Sequence, residues 1–220
     1  MDGEKFIFEE FSAERVSAIE LDLLLAEGWR HFGNNFFRYS HNTYNNEIRR
    51  VIPLRIRTAN FFRSKGQRRN IRKNGDLSIS IGPADLNAEI RSLFDRHRMR
   101  FSEGRPETLE SIISPFAGVP CDVRMMLVAL NGKPLAASFF DVAAESVSGI
   151  YAMFEPGEAV RGLGNFTMLK EIEFAHATGR RFYYQGYCYA GNSFYDYKKR
   201  FAATEFYDWN GSWRPFAEDR

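Results

Sequence analysis

Between Val123 and Tyr189 the chain spells out an order of elements that few folds accept. Val123 to Leu130 is an apolar strand, and Asn131-Gly132 is a tight hairpin turn because both residues tolerate positive φ. Leu135 to Ala143 returns, and Ser146 to Phe154 makes a third strand before the breaker Glu155-Pro156-Gly157. Arg161-Gly162-Leu163-Gly164 then opens a helix that runs to about Ala177, with Thr167, Leu169, Ile172 and Phe174 at helical spacing and Gly179 as its stop. Arg181 to Tyr189 is a strand again. Antiparallel strands, a helix and a returning strand imply a right-handed crossover to a parallel neighbour. The expected fold class is α/β (α+β): one mixed, mainly antiparallel sheet flanked by helices.

The rest of the chain is read more coarsely. Ser12 to Ala26 is expected to be a helix capped by Ser12, with Gly28 as its end. Asn34 to Asn46 reads as two short strands or a loop, and Val51 to Thr58 as a strand with one charged face. Ser64 to Asn74 is helix or ordered loop, Leu77 to Ile81 a strand, Ala84 to Arg100 a helix, and Thr108 to Ile113 a short helical piece. Glu205 to Pro215 holds a hairpin around Asn210-Gly211. The organisation expected is an N-terminal segment over 1–75 and a larger domain over 76–220, packed as one unit.

Charge narrows the function. From Arg49 to Asn74 stand ten basic residues and no acid: Arg49, Arg50, Arg55, Arg57, Arg63, Lys65, Arg68, Arg69, Arg72 and Lys73. Outside this stretch 20 basic residues face 28 acids. A local cationic excess in an otherwise acidic chain is the footprint of a polyanion site. Two cysteines, Cys121 and Cys188, exclude a disulfide-stapled module and a cysteine-rich zinc site, and a reducing cytoplasm is the expected location. No apolar run is long enough to cross a bilayer as a helix, so no membrane partner is expected. His31, His41, His97 and His176 lack ligand spacing and read as structural or surface groups.

The opening Arg161-Gly162-Leu163-Gly164 allows two readings. Glycines and a helix N-terminus cradle phosphates, as in the GNAT acyltransferase superfamily, where such a turn holds the pyrophosphate of acyl-CoA. A strand-to-helix turn that needs glycine only for tight packing looks the same.

Several motifs, in one order, carry a resemblance. Ser64-Lys65-Gly66-Gln67-Arg68-Arg69 with Arg72-Lys73-Asn74 resembles the Ser-x-x-Gln-Arg-Arg signature of the aminoacyl-tRNA–protein transferases, arginyl and bacterial leucyl. Gly28-Trp29-Arg30-His31-Phe32-Gly33 resembles the family's Gly-Phe-Arg-Arg-x-Gly start, and Ile52-Pro53-Leu54-Arg55-Ile56 its Val-Pro-Val-Arg-Ile strand. Tyr151, Phe154, Pro156, Arg161, Leu163, Gly164, Ile172 and Glu173 resemble its central GNAT half, and Gln185-Gly186-Tyr187, Tyr197-Lys198 and Phe201 its end. Two departures stand out. The family's Cys-x-x-Cys cluster is replaced by Tyr39-Ser40-His41-Asn42-Thr43-Tyr44-Asn45-Asn46, so no metal, cluster or haem is expected, and Phe194-Tyr195 replaces its Lys-Met.

The resemblance implies a GNAT-like fold and transfer of an aminoacyl group from tRNA to the N-terminal Asp or Glu of a protein, marking it for N-degron degradation. Expected at the chemistry are Tyr187, Tyr197, Lys198 and Asp141; for tRNA phosphates Arg63, Lys65, Arg68, Arg69, Arg72, Lys73, Arg161, Gly162 and Gly164; for donor or acceptor recognition Gln67 and Gln185. No cofactor beyond the aminoacyl-tRNA donor is needed, and a monomer is expected. Arginine is favoured as the transferred residue because Asp141 and Asp196 are available to a guanidinium, with leucine as the other choice. A CoA-dependent GNAT N-acetyltransferase and an inactive tRNA-binding homologue are the competing readings.

Overall fold

The computed structural model describes residues 6–101, 105–116 and 118–216. β1 (Phe8–Ser12), β2 (Arg30–Phe32) and β3 (Asn35–Tyr39) form a small antiparallel sheet with β3 in the middle. The helix expected from Ser12 begins later, as α1 (Ala18–Ala26). Ser12 ends β1, and Ser17 is the cap: its hydroxyl accepts from the Glu20 N–H, and the Glu20 carboxylate accepts from the Ser17 N–H at 2.8 Å. A reciprocal box satisfies two otherwise orphaned donors, which Ser12 has no partner to do.

β4 (His41–Tyr44) and β5 (Glu47–Arg57) make a hairpin, and α2 (Lys65–Lys73) follows. α2 also starts at a capping box: the Gln67 side chain accepts from the Ser64 N–H at 2.9 Å. β6 (Ser78–Pro83) leads to α3 (Ala88–Arg98), shorter than expected because Asn87 Oδ1 accepts from the N–H groups of Glu89 and Ile90. Thr108 to Ile113 forms turns, not a helix. Ser111 bonds back to Thr108 through both its N–H and its hydroxyl, a local alternative to helical bonding.

The second half follows the expected order: β7 (Val123–Leu130), β8 (Lys133–Val142), β9 (Ser146–Phe154), α4 (Leu163–Ala177) and β10 (Phe182–Tyr189), then β11 (Thr204–Tyr207) and β12 (Trp213–Pro215). Among the described residues these strands join one mixed, mainly antiparallel sheet in the order β12-β11-β5-β10-β9-β8-β7-β6, with β4 attached to β5. This is the expected GNAT-like arrangement, antiparallel through β6 to β9 and parallel between β9 and β10. β5, from the N-terminal segment, lies inside the sheet between β10 and β11.

Helices cover both faces. β8 is buried along almost its whole length because its alternate residues meet different layers. Ala136 and Phe140 pack with Leu163, Phe166, Leu169 and Ile172 of α4, while Ala137 and Phe139 pack with Ile90, Leu93 and Phe94 of α3. Each such fully buried large side chain contributes roughly 1.5–3 kcal/mol.

The sheet comes apart at one place. β9 and β10 pair only over Ser146–Ser148 and Phe182–Tyr184. Beyond that, the β8–β9 ladder shifts register between Phe139 and Phe140, and the β10–β5 ladder shifts between Tyr184 and Gly186. A bulge in each strand bends it away from the other. The result is an opening flanked by half-buried Gly149 and Ile150 on one side and Gly186 and Tyr187 on the other.

Candidate active site

Two cations sit at this opening. Arg30, at the start of β2, is 8% exposed. Its Nη1 donates to Ser148 Oγ at 2.8 Å, its guanidinium lies over the Tyr184 ring, and its buried Nη2 has no hydrogen-bond partner among the described residues. Lys198 lies in the 3-10 segment after β10; its Nζ donates to the Tyr187 carbonyl at 3.1 Å and a Cβ on Gly186 would stand 3.2 Å from it. Burial, then the charge of Arg30, lowers the Lys198 pKa to about 8. Among the described residues no carboxylate is bonded to either cation. Two like charges near one another, one buried with a spare donor and one half-buried, are arranged for an anion.

Opposite them is a carboxyl. Glu171 of α4 is buried, and Tyr183 donates its hydroxyl to Glu171 Oε2 at 2.6 Å. Burial raises Glu171 to about 7 despite the Tyr183 hydrogen bond, which favours the charged form. The pair lies directly beneath Gly149, where a Cβ would be 2.9 Å from the Tyr183 hydroxyl and 3.3 Å from Glu171 Oε2. Glycine is required here for close approach. A carboxyl that titrates near neutrality is suited to accept a proton from an amine.

The other expected groups are distributed differently. Tyr187 borders the opening, but its hydroxyl donates to the Gly28 carbonyl at 2.6 Å. Tyr197 packs on the α4 core, where burial raises its pKa to about 12. Asp141 is fully buried and bonded to His31, and Asp196 is held by Ser193 and Lys199, so neither stands open to a guanidinium. Gln185 is buried on β10, with Oε1 unpartnered among the described residues. Gln67 spends its side-chain oxygen on the α2 cap.

The basic stretch divides in two. Arg55 and Arg57 both pair with Glu205, at 2.7 and 2.5 Å, and Arg55 is sandwiched by Phe182 and Trp213. Arg49 pairs with Glu47 and Arg63 with Glu173. Arg161 forms a bidentate pair with Asp76 and a further bond to Glu158. Lys73 donates to the Val160 carbonyl. Arg50 donates to the Asp208 carbonyl, and what remains is Lys65, Arg68, Arg69 and Arg72, exposed along α2 and bonded to no carboxylate among the described residues. The glycine-opened turn is the place where α2 docks. Asn70 Nδ2 donates to the carbonyls of Arg161 and Gly162, and Gly162 holds φ +65° with Asn70 Nδ2 only 2.8 Å from where a Cβ would be. Outside its own helix, and among the described residues, Gly164 has only Phe154 within ordinary van der Waals distance of its Cβ position.

Arg30, Glu171 and Tyr183 received no role from the sequence. Arg30 lies in the motif that runs from Gly28 to Gly33. Glu171 carries a usable signal, since it occupies the α4 face between buried Thr167 and Ala175 at four-residue spacing.

The opening thus presents two cations on one side and, beneath Gly149, a carboxyl that burial raises to about 7. Residues 89–208 match the family described as arginine-tRNA-protein transferase, C terminus. An aspartate/glutamate leucyltransferase of Xylella fastidiosa (strain M23) is 33% identical over 203 residues, covering 88% of this chain and 78% of the relative. Its counterpart in Stenotrophomonas maltophilia (strain K279a) is 30% identical over 206 residues, with coverages of 90% and 80%. Among solved structures, L-PGS from Bacillus licheniformis has a TM-score of 0.48 at 13% identity, covering 84% of this chain and 55% of that one. The chain belongs to the arginine-tRNA–protein transferase family and is an aminoacyl-tRNA–protein transferase.

Proposed function

We propose that the protein transfers leucine from leucyl-tRNA to the α-amine of proteins that begin with Asp or Glu, marking them for N-degron degradation. The observation that carries this reading is the pair at the opening between β9 and β10, buried Arg30 and half-buried Lys198, neither of them bonded to a carboxylate among the described residues. The acidic side chain of the acceptor supplies the missing anion, and a charge-assisted bond to Arg30 Nη2 and Lys198 Nζ orients its backbone amine. Leucine is preferred to arginine because Asp141 and Asp196 are both engaged within the protein, and because the Xylella and Stenotrophomonas relatives are named leucyltransferases.

The chemistry needs little assistance. An aminoacyl ester is already activated, and the α-amine has a free pKa of about 8. The amine nitrogen attacks the ester carbonyl, the new amide bond forms, and the bond to the ribose 3′ oxygen breaks, with that oxygen taking up the proton the amine loses, handed back by Glu171 through Tyr183. Glu171 receives the amine's surplus proton through the Tyr183 hydroxyl, which passes its own proton to the carboxylate as it takes another. Holding amine and ester together supplies the remaining advantage. The exposed cations of α2 hold tRNA phosphates, a sequence-independent contribution to affinity.

The test is a transfer assay with leucyl-tRNA and arginyl-tRNA as donors, acetyl-CoA as a further donor, and peptides beginning with Asp, Glu and Lys. Leucine on the Asp and Glu peptides alone is the expected product. Arginine transfer reverses the donor assignment, acetyl transfer identifies a CoA enzyme, and tRNA retention without product identifies a binding homologue.

A further inference from the structure

His31, Cys121 and Asp141 come from β2, the segment before β7, and β8, and they meet beside the apolar cluster of Leu21, Leu25, Trp29 and Phe36. One ligand atom from each lies within 4.8 Å of the others, and all three residues are buried. A tetrahedral zinc ion bound at its ordinary bond lengths holds its donor atoms roughly 3.2–3.8 Å apart, so small side-chain shifts suffice.

Two details point to a cation between these groups. His31 Nδ1 lies 2.9 Å from the Gly33 carbonyl, a bond that places a proton on Nδ1 and turns Nε2 toward the other donors. The ring is further fixed by stacking on Phe36 at 4.8 Å. With Nδ1 protonated, Nε2 stands 3.0 Å from Asp141 Oδ2, an approach that requires either a second proton or a metal ion. A backbone carbonyl behind the far ring nitrogen is the usual support of a metal-bound histidine. The other detail is Asp141 Oδ1, which is buried without a hydrogen-bond partner among the described residues. Cys121 is a free thiol, available as a thiolate ligand.

We propose that His31 Nε2, the Cys121 thiolate and both carboxylate oxygens of Asp141 form a structural zinc site that ties the small N-terminal sheet to the main one. Mixed nitrogen, sulfur and oxygen donors in a closed, apolar setting suit zinc. Binding releases the thiol proton and displaces the proton otherwise shared by His31 and Asp141. The bidentate carboxylate gives the orphaned Oδ1 its partner.

Untagged full-length protein, purified without chelator from zinc-supplemented culture, is expected to carry about one zinc per chain by elemental analysis. After zinc is stripped, added Co(II) is expected to give a thiolate-to-metal charge-transfer band and the visible bands of a tetrahedral site. Cys121→Ser is expected to lose the charge-transfer band, and Asp141→Asn to lower the metal content. If a variant fails to fold, the wild-type cobalt spectrum decides alone. Zinc-free wild-type protein with no cobalt band would overturn the proposal and leave His31 and Asp141 as a proton-bonded ion pair. Bound zinc that is indifferent to Cys121→Ser, with no thiolate band in the wild type, is adventitious and overturns it equally.

Discussion

Replacing Glu171 with Gln isolates the energetic cost of the buried carboxyl at the opening. Gln preserves the shape and the acceptor for the Tyr183 hydroxyl, but it has no proton to lose. In the unfolded chain a Glu ionises near its ordinary 4.5, whereas burial holds Glu171 protonated in the native state up to about 7. Between those values the native state binds more protons than the unfolded one, so stability falls as pH rises through the window and levels off above about 7. The difference corresponds to about 3 kcal/mol, which at 3% exposure is not reduced by solvent screening. Urea unfolding followed by tryptophan fluorescence, over about pH 4.5 to about 7.5, gives both stability curves, and other titrating groups cancel in the difference between wild type and variant. The variant is expected to gain about 3 kcal/mol relative to wild type across the window. Tyr183→Phe is expected to move the upper end of the window to higher pH, because that hydroxyl favours the charged form. Parallel curves for wild type and Glu171→Gln refute the assignment of an elevated pKa, and with it the proton-acceptor role.

Lys198→Met is expected to raise KM for Asp- and Glu-initiated peptides about tenfold or more with little change in tRNA affinity, since a charged hydrogen bond contributes roughly 1.5–3 kcal/mol. In the wild type the same KM is expected to climb as pH passes about 8, where Lys198 loses its charge, and the variant is expected to lack that rise. Changing Lys65, Arg68, Arg69 and Arg72 together to Ala leaves no hole, because no α2 side chain is buried. The slope of log affinity for tRNA against log salt is expected to shrink in magnitude by roughly 0.7–0.9 for each phosphate these side chains no longer neutralise, as read by filter binding. Gly162→Ala, at positive φ and against Asn70, is expected to cost about 1–3 kcal/mol by thermal or urea unfolding. Gly164→Ala, with only Phe154 at 3.8 Å, is expected to be tolerated in the same measurement.

Local chemistry was sufficient for most of the architecture. Asn131-Gly132 closes the β7–β8 hairpin, glycines stop α1 and α4, and the apolar period of Leu169 and Ile172 places α4 against the sheet. Turns, caps and periodicity involve groups a few residues apart, so the sequence displays them directly. The misplacement of α1 passed over a local signal: Ser17 has Glu20 at the capping-box position, whereas Ser12 has no such partner and ends β1, which pairs with β3. The family was legible too, because its motifs are short and keep their order.

The site was only partly legible. Lys198 was named from its motif, but Arg30 and Glu171 became meaningful only when the strands parted around them. Acids are absent between Arg49 and Asn74, yet Glu205 and Glu173 reach in from far along the chain and neutralise Arg55, Arg57 and Arg63. Likewise, nothing in the spacing of His31, Cys121 and Asp141 announces that they meet. By itself the sequence determined the order of elements from Val123 to Tyr189, the β7–β8 turn, the glycine stops, the family and the presence of a basic segment. Only the tertiary structure decided which cations remain free, where the sheet opens and which buried donors converge, because charge pairing and burial act through space between residues that sequence distance does not relate.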